Sequence, residues 1–201
     1  MDLYLTRHGE TVWNTEYRMQ GRENSPLTEK GIEGARTLSR ELVNIPIQKC
    51  FVSPMPRAVH TAHLLLGTRA IPFEFSNELA EMNLGDWEGV TFESASAKNP
   101  EACIHFRQHP ESFVARPGGE SFTEVIARAE AFLKSVERME DRDGPIMGVT
   151  HCILLQAITL ICDGRDISTL RTGQRVDQTK LFHLRYENGK WTILMRNGEG
   201  I

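Results

Sequence analysis

The 201-residue sequence predicts an α/β domain, a three-layer α/β/α arrangement with helices on both faces of a mostly parallel central sheet. Three observations lead there. Short apolar runs alternate with longer stretches of helical periodicity. Cap and turn residues mark most of the junctions between them. No internal repeat, low-complexity stretch or linker divides the chain, so one domain over residues 1–201 is expected, with an ordinary 40% hydrophobic and 25% charged residues.

The elements follow in order. Asp2–Thr6 is a short first strand running into Arg7-His8-Gly9. Thr28 caps a helix reaching about Val43, with Ile32, Ala35, Leu38 and Leu42 on one face, and Pro46 closes that segment. Lys49–Ser53 reads as the second strand, Pro56–Leu66 as a helix with proline at its start, and Ile71–Ser76 as the third strand. Residues 83–120, rich in Gly, Pro, Asn and Ser, read as loops and short helices forming a substrate-facing lid. Ser121 and Glu124 make a capping box that opens a long helix, its apolar residues running from Phe122 through Val125, Ala129, Phe132 and Val136 to Met139. Pro145–Thr150 is the fourth strand and Cys152–Cys162 a buried apolar helix. Lys180–Tyr186 and Trp191–Met195 flank Asn188-Gly189, a hairpin turn signal.

Composition narrows the function. No run approaches the roughly 20 apolar residues of a membrane span, and the N-terminus lacks the basic region and apolar core of an export signal, so a cytoplasmic protein without a membrane partner is expected. Cys50, Cys103, Cys152 and Cys162 form no CxxC pair, which disfavours a zinc or redox motif. A net charge of −4 argues against nucleic-acid binding, yet a local arginine cluster can still hold a small anion.

Chemistry-bearing residues collect after the strands. The first ends at Arg7-His8, the second leads through Ser53-Pro54 to Arg57, the third is followed by Glu81, and the fourth ends at Thr150-His151. Ligands of open α/β sheets bind beyond the carboxyl ends of the strands, so parallel strands bring two arginines, two histidines and a glutamate to one edge. Guanidinium forks match phosphate oxygens. An adjacent arginine also lowers an imidazole's pKa, which leaves the ring neutral and nucleophilic. Phosphoryl transfer suits this set.

At these residues the sequence resembles the histidine phosphatase superfamily, in its phosphoglycerate-mutase-like branch. The resemblance is carried by Thr6-Arg7-His8-Gly9-Glu10-Thr11, Trp13-Asn14, Gln20-Gly21, Ser25-Pro26-Leu27-Thr28, Ser53-Pro54 with Arg57, Glu81 with Gly85-Asp86-Trp87-Glu88-Gly89, Pro117-Gly118-Gly119-Glu120-Ser121 and Thr150-His151, in the family's order. It implies that His8 carries the phosphoryl group and that Arg7, Arg57 and His151 hold its oxygens. Glu81 would serve the leaving and entering oxygens as acid and base, and Asn14, Gln20 and Gly21 would line the substrate. It implies no metal and no cofactor. Where the family usually has glycine after the second histidine this chain has Cys152, so a slightly altered pocket is expected. Arg107 and Arg116 of the lid are expected to bear on substrate choice, and Phe106, Phe113 and Trp87 are candidates for shaping the pocket. The remaining histidines, His183 among them, read as surface or helix residues.

The expected activity is hydrolysis of a small metabolite's phosphate monoester, by a metal-independent enzyme of the histidine acid phosphatase type. Phosphoglycerate mutase is the alternative, since it uses the same intermediate. The sequence lacks a long insertion after Glu81 and a long C-terminal tail, which favours the phosphatase. A non-catalytic binding module is a further alternative, against which the pairing of Glu81 with His8 argues. The exposed C-terminal hairpin could support a homodimer.

Overall fold

The computed structural model describes residues 1–139, 144–172 and 175–200. Its strands are β1 (Asp2–Arg7), β2 (Lys49–Val52), β3 (Phe73–Phe75), β4 (Ile146–Thr150), β5 (Leu181–Glu187), β6 (Lys190–Arg196) and β7 (Glu199–Gly200). They form one sheet in the order β3-β2-β4-β1-β5-β6-β7. The first four are parallel to one another, and β5 to β7 continue antiparallel. The helices are α1 (Val12–Thr15), α2 (Glu29–Glu41), α3 (Pro56–Leu66), α4 (Phe92–Lys98), α5 (Pro100–Gln108), α6 (Phe122–Glu137) and α7 (Cys152–Asp163), with short 3₁₀ turns between some of them.

Side-chain alternation builds the three layers. On one face Cys50, Val52, Met147 and Val149 pack with Leu38, Leu42, Ala58, Ala62 and Leu65 of α2 and α3. On the other, Leu3, Leu5, Phe51 and Ile146 pack with Val125, Ala129, Phe132 and Leu133 of α6 and with Leu154 and Ile158 of α7. The residues Ile153–Leu160 of α7 are all buried, as its continuous apolar run demands.

This connectivity positions the site. From β1 the chain runs through α2 to β2 and through α3 to β3, away from β1 along one face. It returns through α6 on the other face to insert β4 between β2 and β1. The crevice therefore opens beyond the carboxyl ends of β1 and β4, where the direction of winding reverses. The His8 N–H donates to the Thr150 carbonyl at 2.9 Å across that seam.

The structure also adjusts several sequence readings. The third strand is only Phe73–Phe75: it is an edge strand, Phe75 is exposed, and the Pro72 carbonyl accepts from the Cys50 N–H just outside it. The helix expected to reach Val43 ends at Glu41, and the long helix stops at Glu137, short of Met139. The hairpin turns at Asn188 and Gly189, both at positive φ. His183 is neither a helix nor a free surface residue: it lies on β5, stacked on Tyr4, with its Nε2 2.6 Å from an Asp2 carboxylate oxygen.

Candidate active site

His8 follows β1 and is almost fully buried, at 3% exposure. Its Nδ1–H donates to the Gly9 carbonyl at 2.7 Å, and its Nε2 accepts from the Arg57 Nε–H at 3.2 Å. Those two bonds fix the tautomer, leaving the lone pair on Nε2. The turn after His8 requires glycine for space: a Cβ on Gly9 would come 2.6 Å from the Gly31 carbonyl at the start of α2. The Gly9 N–H donates to Thr61 Oγ1 at 3.0 Å, and the Thr61 hydroxyl donates to the Arg57 carbonyl at 2.7 Å. Thr61 thus ties the turn after His8 to the helix that carries Arg57.

Arg57, in the first turn of α3, is 2% exposed. Its Nη1 donates to the Glu23 carbonyl at 2.7 Å and its Nη2 to the Gly21 carbonyl at 2.6 Å. Burial lowers its pKa to about 10, so it stays cationic at neutral pH. The 20–24 loop that supplies these carbonyls is itself held by Glu88. One oxygen of that carboxylate accepts from the N–H groups of Arg22 at 2.8 Å and Leu84 at 3.0 Å, and the other from that of Glu23 at 3.0 Å.

His151 caps α7 and is fully buried, with its ring centroid 5.1 Å from that of His8. Its Nε2 lies 2.6 Å from Ser53 Oγ, and its Nδ1 has no protein partner. The Ser53 Oγ already accepts the Met55 N–H at 3.4 Å. The Ser53 hydroxyl can still donate to Nε2, and in that tautomer Nδ1 carries the proton. Burial, reinforced by the nearby arginine charges, pushes the pKa of both rings well below the usual histidine value.

Arg7, at the end of β1, donates from Nη1 to the Val176 carbonyl at 3.0 Å, while its buried Nε has no partner. Glu81 approaches from the segment after β3, 8% exposed, its carboxylate accepting from the N–H groups of Met82 at 2.9 Å and Ile153 at 3.3 Å. Arg128 of α6 fastens that segment by donating to the carbonyls of Glu78, Ala80 and Glu81.

A cavity of about 170 Å³ opens onto this arrangement. It is lined by Arg7, His8, Arg57 and Glu81, and also by Asn14, Gln20, Gly21 and Cys152. His151 is not among the residues that line it. Gln20 donates from Nε2 to Thr11 Oγ1 at 2.7 Å, and Asn14 Oδ1 accepts from the Thr11 N–H at 3.1 Å, so both are held by the loop after β1.

The segment 83–120 differs from expectation in its arginines. Arg116 is paired with Asp86 through two bonds of 2.9 Å, and Arg107 lies over the Phe92 ring at 3.5 Å. Neither lines the cavity. Phe106 does, whereas Trp87 and Phe113 pack behind it as an aromatic cluster. The cavity also takes in Arg171, which no sequence feature marks, since it follows no strand and belongs to none of the motifs.

A neutral, tautomerically fixed imidazole facing arginines, with a carboxylate on the same cavity, defines a phosphoryl-transfer enzyme. The family model for the histidine phosphatase superfamily (branch 1) matches residues 3–198, and the chain belongs to that superfamily. It is 31% identical over 194 residues to the adenosylcobalamin/alpha-ribazole phosphatase of Salmonella typhimurium, covering 96% of this chain and 90% of that protein. It is 29% identical over 166 residues to phosphoserine phosphatase 1 of Hydrogenobacter thermophilus, covering 83% and 78%. The solved structure of Bacillus stearothermophilus YhfR superposes with a TM-score of 0.92 at 34% identity, covering 100% of this chain and 98% of that one. The chain is accordingly a phosphatase of small phosphorylated metabolites.

Proposed function

We propose that this phosphatase works without a metal, through a phosphohistidine on His8. The observation that carries the reading is the pair of bonds that fixes His8: Nδ1–H on the Gly9 carbonyl and the Nε2 lone pair held toward Arg57 in a cavity shared with Glu81.

In the first step Nε2 attacks phosphorus and the ester oxygen leaves. The Arg57 Nε–H that rests on Nε2 turns to a phosphate oxygen, joined by Arg7 and by His151, whose Nδ1 has no protein partner. The Gly9 carbonyl holds the Nδ1 proton, which steadies the ring as it gains positive charge. Glu81 delivers the proton to the leaving alkoxide. In the second step Glu81 takes a proton from water, which attacks the phosphohistidine and returns His8 to its neutral form. The cationic side chains serve the oxygens that a metal ion serves elsewhere, and the described residues contain no metal-binding cluster of histidine, cysteine and carboxylate groups. No described helix is long and apolar enough to cross a membrane. The segment 83–120, which contributes Leu84 and Phe106 to the cavity wall, acts as the lid over the substrate.

The test is phosphate release from a panel of phosphate esters in excess EDTA, with the acid-labile phosphoenzyme trapped and located by mass spectrometry. Turnover is expected to survive chelation. His8→Ala should lower kcat by roughly 10⁴-fold or more, as loss of a nucleophile does. Activity abolished by EDTA, or a phosphoryl group on another residue, refutes the reading. Conversion of 3-phosphoglycerate to 2-phosphoglycerate without free phosphate would make the enzyme a mutase.

A further inference from the structure

The cavity holds more positive charge than a phosphoryl group on His8 needs. Arg7 and Arg57 serve that group. Two more guanidiniums, Arg18 and Arg171, line the same cavity, with Glu81 the one carboxylate on its wall among the described residues. Arg18 is already occupied: it bonds the Glu16 carboxylate at 2.6 Å and the Gly89 carbonyl at 2.9 Å. Arg171 is not. Its Nη1 donates to Gln156 Oε1, a neutral amide on α7, at 2.5 Å. Its guanidinium lies 5.0 Å from the centroid of Phe106. Its Nε is buried without a partner, and it forms no ion pair with a carboxylate among the described residues. A half-buried cation held by an amide and an aromatic ring, with donors left over, is arranged for an anion that the chain does not itself provide.

We infer that Arg171 recognises a second anionic group on the substrate, so that the preferred ester is a compact phosphomonoester bearing a carboxylate or a second phosphate, rather than the phosphate of a neutral alcohol. The inference rests on the phosphatase reading of the cavity and adds the chemistry of the part that does not react. Gln156 orients the fork from α7, and Phe106 from the lid fixes its plane, so lid and helix together set the distance between the two anionic groups of the substrate. The volume of about 170 Å³ favours a small carbon skeleton between them. The lid arginines Arg107 and Arg116, engaged by Phe92 and Asp86, leave this task to Arg171.

The experiment compares kcat/KM for three probes: 3-phosphoglycerate, propane-1,3-diol bisphosphate and glycerol 3-phosphate, the last matching the first with a hydroxymethyl group in place of the carboxylate. The wild-type enzyme should favour at least one dianion-plus-anion probe over glycerol 3-phosphate by about 10- to 100-fold, the range of a charge-assisted bond. Whichever anionic probe has the larger ratio identifies the second group. In Arg171→Met, which keeps an apolar contact with Phe106, that ratio should fall to near unity, chiefly through KM, and Arg171→Lys should restore part of it. A wild-type ratio near unity overturns the inference, as does a ratio unchanged in Arg171→Met. Dissociation constants for the same probes measured on His8→Ala, with and without Arg171→Met, report the same ratio without turnover. A failed phosphohistidine mechanism is thereby told apart from a failed role for Arg171. Should Arg171→Met not fold, the ratio in Arg171→Lys decides: one as large as wild type overturns the inference, and a partial loss sustains it.

Discussion

Gly21 has no side chain with which to touch His8 or Arg57, yet their alignment passes through it. Its φ of +52° lies in the left-handed region, and a Cβ there would run into the Glu88 carboxylate that holds the 20–24 loop. Its carbonyl is one of the two that fix the Arg57 guanidinium, which in turn bonds His8 Nε2. Gly21→Ala should therefore cost about 1–2 kcal/mol from its backbone conformation alone. It should also lower kcat by roughly 10- to 100-fold, since shifts near 1 Å in a positioned group carry such losses. Thermal melting and kcat on an activated aryl phosphate check the two effects separately, and a lowered melting temperature with an unchanged kcat would show that the clamp is structural only. Residue by residue, Arg7, His8, Arg57 and Glu81, which the sequence places after strands, come together on one cavity with the motif residues Asn14, Gln20 and Gly21, whereas His151 does not line it. Arg171 escaped because it reaches the cavity from a stretch with no strand end or motif, through a long side chain whose partners, Gln156 and Phe106, are 15 and 65 residues away along the chain.

At the scale of elements, legibility followed length and capping. The capping box at Ser121 formed as written: Ser121 Oγ accepts from the Glu124 N–H at 3.3 Å, and the Glu124 carboxylate accepts from the Ser121 N–H at 2.7 Å. The four-residue α1 went unread because one turn cannot show a helical period, although Thr11 and Asn14 cap it in the same reciprocal way. The two-residue β7 carries too little pattern to find, and the third strand was overestimated because its apolar residues lie at an exposed edge. The cap at Ser121 also separates stability from chemistry. Ser121→Ala removes an acceptor from the first turn of α6 and should cost about 1 kcal/mol. Urea unfolding should show that loss at an unchanged m-value, while kcat stays within about twofold, since Arg128, two turns further along α6, still fastens the Glu81 segment. A large fall in kcat would mean that the cap end of α6 itself positions Glu81.

At the scale of the whole molecule, the two buried histidines govern the response to acid. His8 and His151 are held neutral by burial and by Arg57 and Arg7, with pKa values well below 6.5. In the unfolded chain both rings regain the ordinary value near 6.5 and take up protons as the pH falls through it. Below that point the unfolded state binds more protons than the folded one, so acid favours unfolding. Stability should decline from about pH 6.5 downward by up to about 1.4 kcal/mol per pH unit for each ring, continuing until the folded-state values are reached. The carboxylates that the fold depresses, such as Asp2 and Glu120, have unfolded values of 3.8 and 4.5 and lose their contribution only below that range. Between about pH 6.5 and pH 5 the buried histidines therefore dominate the slope. His8→Asn cannot titrate, so the fall in unfolding free energy across this window should be about half as steep as in wild type, whatever offset the substitution adds to the absolute value. Urea denaturation at closely spaced pH values measures both slopes. Parallel curves for wild type and His8→Asn would mean that the His8 ring titrates alike in both states, and is then not the neutral imidazole that phosphoryl transfer at this site requires.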